Sequence, residues 1–232
     1  MPGWRWPSLL VHRCGGALAP ENTLAGLRIA ARLGCRAVEF DVMLSRDKLP
    51  VLIHDETLAR TAGVAGAVPQ LDAEHLLATD VGRCFHPAFT GETIPSLSTA
   101  LDVCAQLGLA ANVEIKPAAG VEAETGSVVG ELLRARRVAD SPEILLSSFS
   151  IEALAAAAAH VPELPRALLV ESPTPQNLAL ALQLGCVSLN VGCNGLEAKH
   201  VSDTLSAGLR VMAYTVHTCE AAAQLTDWGV CG

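Results

Sequence analysis

Short runs rich in Val, Ile and Leu alternate along this chain with longer Ala- and Leu-rich stretches whose apolar residues recur at helical spacing. That is the pattern of βα units around a parallel sheet. Eight strand starts are visible: LLVH (9–12), AVEFDV (37–42), NVEIK (112–116), EILLSS (143–148), RALLV (166–170), CVSLNV (186–191), RVMAYTV (210–216) and GVCG (229–232). They predict an α/β fold, a (βα)8 barrel, built as one domain over residues 1–232. The helices carry matching punctuation. NTLAGLRIAARLG can start with Asn22 as N-cap and stop at Gly34, and SIEALAAAAAHVP begins at Ser150 and is ended by Pro162. TPQNLALALQLG and KHVSDTLSAG likewise end in Gly before a strand. Residues 55–95 break the alternation with turn residues and a short helical run near Asp72 to Ala78. This stretch predicts a small insertion near the active-site mouth.

Within that pattern, the stretch AVEFDVMLSRDKLPVLIHDE (37–56) places carboxylates where a core strand should be apolar. Glu39 and Asp41 share one strand face while Val38, Phe40 and Val42 share the other. A hairpin centred on Asp47 and Lys48 would set Asp41 opposite His54 and so bring an imidazole to the carboxylates. In NVEIK the same alternation puts Asn112, Glu114 and Lys116 on the face opposite Val113 and Ile115. Three carboxylates converging at a barrel mouth repel unless a cation neutralises them, and an all-oxygen set suits a hard ion, Mg²⁺ or Ca²⁺. Glu39, Asp41 and Glu114 are therefore the candidate ligands of one divalent cation. His12 and Arg13 end the first strand at the same rim.

Two histidines beside a cation and fixed positive charges fit displacement at a phosphodiester. One imidazole, His12 or His54, removes a proton from the nucleophile and the other protonates the leaving alkoxide. Arg13 and Lys116 stabilise the phosphate charge. Each residue also has an ordinary structural role open to it: a histidine hydrogen-bonded at a strand end, an inward carboxylate paired with Arg, or Lys116 paired with Glu114. What favours chemistry is that all of them fall at predicted strand ends. Asp55 reads as a turn residue.

Composition narrows the partners. The formal charge is −8 with 16 Lys plus Arg, so no clustered basic footprint for nucleic acid is present. Half of the residues are hydrophobic but only four are Phe, three Trp and one Tyr, so the core must be largely aliphatic. The N-terminal MPGWRWPSLLVHR lacks the sustained apolar segment of a secretory signal, and the expected location is the cytoplasm. The uncharged run from Ser172 to Leu196 is interrupted by Pro, Gln, Asn and Gly and makes a poor membrane span. The eight cysteines have no CxxC spacing and read as reduced, mostly buried thiols.

The ordered series HRCGGALAPENT, VEFDVMLSRDKLPVLIHDETLART, IPSL, VEIK, SSF and YTV resembles the glycerophosphodiester phosphodiesterases, especially the bacterial cytoplasmic type, from about residue 9 to the C-terminus. The resemblance implies a (βα)8 barrel with a small insertion after HDE. It implies hydrolysis of small-molecule glycerophosphodiesters, such as glycerophosphocholine and glycerophosphoethanolamine, to glycerol 3-phosphate and an alcohol. By motif, His12 and His54 match the acid/base pair, Glu39, Asp41 and Glu114 the divalent-metal ligands, and Arg13 and Lys116 the phosphate contacts. Phe149 and Tyr214 match positions that line the alcohol or glycerol side, and the role of Glu21 in PENT stays open. The substrate's own glycerol hydroxyl is the nucleophile that the resemblance implies, giving a cyclic phosphate that water opens.

Several positions depart from the family pattern. Cys14 stands where Gly is usual after HR, in a loop that asks for close approach or positive φ. Tyr214 replaces a more usual Trp, and His217 an Asn. The chain stops at WGVCG, where relatives continue into a strand ending in a Thr-Asp-x-Pro type motif, so the last strand is expected to be clipped. Two other readings stay open: a barrel phosphodiesterase acting on lysophospholipids, and a catalytically silent barrel used for binding. A lesser expectation makes Cys14 a redox-sensitive thiol.

Overall fold

The computed structural model describes residues 6–136 and 141–232. The described residues begin with a loop that carries a single parallel bridge, Val11 to Val38, followed by α1 (Leu24–Arg32) and the hairpin of β1 (Ala37–Leu44) and β2 (Pro50–Leu52). Three short helices follow in the inserted region, α2 (Ala59–Ala62), α3 (Ala73–Leu77) and α4 (Gly82–Phe85). Regular alternation then resumes with α5 (Leu97–Leu107), β3 (Ala110–Ile115), α6 (Glu122–Ala135), β4 (Ile144–Ser148) and α7 (Ile151–His160). It continues through β5 (Arg166–Val170), α8 (Pro175–Gln183), β6 (Ser188–Gly192), α9 (Ala198–Ser206), β7 (Arg210–Tyr214) and α10 (Cys219–Trp228).

The seven strands form one sheet in the order β2-β1-β3-β4-β5-β6-β7, parallel except for the β1–β2 hairpin. The fold is the predicted α/β barrel. Its first stave is thinner than the sequence predicts, and its last is clipped, as expected. LLVH pairs only through Val11, whose N–H donates to Ala37 O at 3.1 Å and whose carbonyl accepts from Glu39 N at 2.9 Å. The chain cannot extend this stave because Arg13 and Cys14 turn it at once with φ of 50° and 71°. GVCG is likewise not a strand, but Cys231 N donates to Val211 O at 2.9 Å and Ala213 N to Gly232 O at 2.7 Å, beside β7. A Cβ on Gly232 would lie 3.5 Å from Leu10 Cδ1, which sets the two thin staves near each other.

The outward faces carry the apolar half of each alternation. Val38, Phe40, Val42, Val113, Ile115, Leu146, Val191 and Val211 are buried with Leu27, Leu101, Val129, Leu154 and Leu225 of the helices. Small residues let α6 and α7 approach closely: a Cβ on Gly126 would sit 2.1 Å from Ala153 O. The inward face is layered. Ala37, Ala110, Leu145, Ala167 and Met212 join Trp6 in an apolar floor, and Glu39, Asn112, Asp41, Glu114, Ser147 and Asn190 are buried toward the strands' C-terminal ends. A separate cluster of Met43, Val51, Ile53, Leu58, Val68, Leu76 and Ile94 holds the inserted helices against the hairpin.

Two local expectations are corrected. The hairpin pairs Leu44 with Pro50 and Val42 with Leu52, so Ile53, not His54, comes opposite Asp41, with Ile53 N bonded to Asp41 O at 3.1 Å. The reason is the turn, where Ser45 Oγ binds Asp47 Oδ1 and Leu49 N while Lys48 takes φ 66°, which closes the loop one residue earlier. Asn22 is not the cap of α1. Thr23 is, its hydroxyl accepting from Gly26 N at 3.2 Å, while Asn22 at φ 56° turns its side chain inward.

Candidate active site

The site lies at the C-terminal ends of the strands, where parallel pairing makes Asp41 and Glu114 neighbours on β1 and β3. Glu39 enters from one layer lower. One oxygen from each of Glu39, Asp41 and Glu114 falls within 4.8 Å of the others. Glu39 Oε2 accepts the Arg13 backbone N–H at 2.9 Å, whereas its buried Oε1 has no partner. Burial, followed by the charges of Asp41 and Glu114, pushes the Glu39 carboxyl well above its usual range. Burial and Asp41 push Glu114 up to about 7, against the opposing pull of Lys116 and Arg13. An orphaned buried oxygen within a cluster of mutually repelling carboxylates fits a hard divalent cation. No other acidic, His or Cys group of three among the described residues has this geometry.

Asp41 is held from several sides. Asn22 Nδ2 donates to its Oδ2 at 2.9 Å, while Asn22 Oδ1 accepts from Asp41 N at 3.1 Å. Arg13 Nε stands 3.7 Å from Oδ2 and Lys116 Nζ 3.6 Å from Oδ1. Asn22 was missed as a site residue because its sequence position reads as a helix cap. Its place in PENT, just after the loop that carries His12 and Arg13, was the available signal.

The two histidines reach the mouth by different routes. His12 follows Val11 and puts Nε2 3.9 Å from Glu39 Oε2. Burial, then the Arg13 charge, lowers its pKa, so the imidazole is neutral at neutral pH. His54 arrives one residue beyond the hairpin ladder. Its Nδ1 lies 2.6 Å from Asp55 Oδ1 and its Nε2 2.5 Å from Lys116 Nζ. With Asp55 accepting from Nδ1–H, the Nε2 lone pair faces the Lys116 ammonium at the site. Asp55 therefore does more than turn the chain. Arg60, then burial in the opposite sense and the His54 contact, leave its carboxyl well below the usual range.

A chain of ion pairs rims this arrangement. Arg13 Nη1 donates to both Glu21 oxygens at 3.1 and 3.2 Å, and Arg60 donates to the same two oxygens at 2.7 Å each. Burial works against Glu21 ionising, but the contacts with Arg60 and Arg13 win and lower its pKa. Phe149 and Tyr214 stand on the far side of the mouth, their ring centroids 5.8 Å apart and nearly perpendicular. The Tyr214 hydroxyl donates to Val170 O at 3.0 Å, and Phe149 is 46% exposed. His217 is exposed beyond this edge. Cys14 is fully buried beneath the loop, and burial pushes its thiol well above the ordinary range, which contradicts the redox-sensitive reading. The eight cysteines are free, but only Cys14, Cys104 and Cys186 are buried, with Cys35, Cys193 and Cys231 half-buried and Cys84 and Cys219 exposed, so the expectation of mostly buried thiols is corrected. Among the described residues no helix is long and apolar enough to cross a membrane.

Comparison with known proteins bears on the family and the fold. The model of the glycerophosphoryl diester phosphodiesterase family matches residues 12–232. A glycerophosphodiester phosphodiesterase of Caldanaerobacter subterraneus subsp. tengcongensis is 28% identical over 97% of this chain and 91% of its own length. The structure of an Oleispira antarctica phosphodiesterase in complex with the product sn-glycerol-3-phosphate superposes with a TM-score of 0.93 at 35% identity, covering 97% of this chain and 91% of that one. A glycerophosphodiester phosphodiesterase structure from Agrobacterium tumefaciens gives 0.75 at 25% identity, covering 97% and 94%. The family model spans most of the chain and the relatives match over most of their length, and the chain belongs to the glycerophosphoryl diester phosphodiesterase family as a phosphoric diester hydrolase.

Proposed function

We propose that this enzyme hydrolyses glycerophosphodiesters, such as glycerophosphocholine and glycerophosphoethanolamine, to glycerol 3-phosphate and an alcohol, using one divalent cation, Mg²⁺ or Ca²⁺. The observation that carries the reading is the buried Glu39–Asp41–Glu114 cluster with an orphaned oxygen, flanked by two histidines and by Arg13 and Lys116. Glu39, Asp41 and Glu114 would hold the cation, which when bound polarises the phosphoryl oxygens.

His12 and His54 are the acid–base pair. A glycerol hydroxyl of the substrate attacks phosphorus, one imidazole takes the hydroxyl proton, and the other protonates the departing alkoxide. The alcohol leaves, a cyclic phosphate remains, and water opens it to glycerol 3-phosphate with the proton transfers reversed. The intramolecular attack gains from proximity. Arg13 and Lys116 neutralise phosphate charge as it grows. Phe149 and Tyr214 contact the alcohol or glycerol side. The free cysteines support a reducing, cytoplasmic setting.

Release of glycerol 3-phosphate from both esters, measured with EDTA and again after Mg²⁺ or Ca²⁺ is restored, tests the reading. Release that stops with EDTA and returns with the ion supports it. No release from folded, metal-loaded protein on either ester overturns it.

A further inference from the structure

The proposed function uses His54 for proton transfer and Arg13 for phosphate charge but leaves unexplained why each is backed by a carboxylate, and why those two carboxylates meet on one guanidinium. Arg60 stands on the four-residue helix α2 in the inserted region. Its Nε donates to Asp55 Oδ2 at 2.7 Å and its Nη2 to Asp55 Oδ1 at 3.1 Å. Its Nη1 donates to Glu21 Oε2 and its Nη2 to Glu21 Oε1, both at 2.7 Å. A single planar fork thus grips two carboxylates bidentately. Asp55 in turn holds His54 Nδ1, and Glu21 holds the Arg13 guanidinium.

We propose that Arg60 is a positioning residue that sets His54 and Arg13 together, by locking Asp55 and Glu21 into one rigid rim across the mouth. The inference rests on the acid–base reading above. Without Arg60, Asp55 would be free to rotate, and the Nδ1–H contact that presents Nε2 to the site would lose its fixed direction. Glu21 would lose its two shortest hydrogen bonds and could no longer brace Arg13 toward Asp41. The first effect touches the proton-transfer step, and so kcat. The second touches phosphate binding, and so KM. No packing role accounts for four hydrogen bonds on a side chain that is 50% exposed.

Lysine cannot replace this arrangement, because an ammonium is a point charge without the planar fork that pairs two carboxylates at once. The test compares Arg60→Ala, Arg60→Lys and His54→Ala, each loaded with the divalent cation, on glycerophosphocholine. Arg60→Ala is expected to lower kcat and raise KM together, with kcat/KM falling roughly 10- to 100-fold, the range seen when a supporting hydrogen-bond partner is removed. Arg60→Lys should recover part of the kcat/KM and not all of it. Millimolar guanidinium chloride should restore activity to Arg60→Ala, and NaCl of equal ionic strength should not. Wild-type kcat and KM in Arg60→Ala beside an inactive His54→Ala would overturn this inference and leave the acid–base reading standing. A loss that guanidinium leaves untouched and that follows a fall in unfolding temperature would overturn it as well, making Arg60 a structural residue only. Wild-type turnover in His54→Ala would overturn both.

Discussion

The inward faces of β1 and β3 change character within four residues. Ala37 and Ala110 belong to the apolar floor with Leu145, Ala167 and Met212, while Asp41 and Glu114, farther along the same strands and facing the same interior, stand among charges. The floor is built of apolar side chains packed on one another. The mouth sets three carboxylates against one another at low solvent exposure, leaves Glu39 Oε1 unpaired, and depends on Asn22, Arg13 and Lys116 to hold Asp41. The same backbone therefore spends stability at one end to keep charge ready at the other, and substitutions at the two ends should have opposite signatures.

His12→Ala and His54→Ala should each cut turnover by about 10²- to 10⁴-fold while barely moving the unfolding temperature, read by assay and thermal melt on the same sample. If either melts early and keeps its rate per folded molecule, the mouth behaves like the floor. Leu145→Ala, in the floor, should cost ~2–5 kcal/mol in urea unfolding with normal rate per folded molecule.

Glu114 should show the reverse of the floor. Its folded-state pKa is raised to about 7 from 4.5, so in metal-free protein its contribution is fully present below about pH 4.5 and is lost as pH rises through 7. Metal-free Glu114→Gln should accordingly be more stable than the parent at pH 8, by on the order of 3 kcal/mol, with the gap closing toward pH 4.5. The same variant should bind Mg²⁺ or Ca²⁺ more weakly. A parent protein that loses no stability between these pH values would show that the cluster is not strained. The smallest effect lies outside both regions: iodoacetamide should label exposed Cys84 and Cys219 in the native protein and spare buried Cys14, with activity retained.

Much of the fold was legible because each signal is local. Strand alternation, Ser150 as the cap of α7 and the run near Asp72 all depend on residues adjacent in sequence. The hairpin register was not, since one hydrogen-bonded serine, Ser45, shortened the turn and moved Ile53 into the place expected for His54. His54 still reaches Lys116, because it lies past the ladder where the chain is free to bend. The carboxylates were visible as polar positions inside an apolar alternation. Asn22, Asp55 and Arg60 were not, because each passes as an ordinary cap, turn or surface residue until the fold sets it beside a partner 19, 1 or 39 positions away.

Titration of EDTA-stripped protein with Mg²⁺ or Ca²⁺, following bound ion and glycerol 3-phosphate release in the same samples, bears on the carboxylate cluster without intermediaries. Occupancy and activity should rise together and saturate at one ion per chain, with Glu114→Ala displaced to higher ion concentration. Full activity at zero occupancy, or saturation of the ion without any gain in activity, would contradict the assignment of Glu39, Asp41 and Glu114 as the cation's ligands.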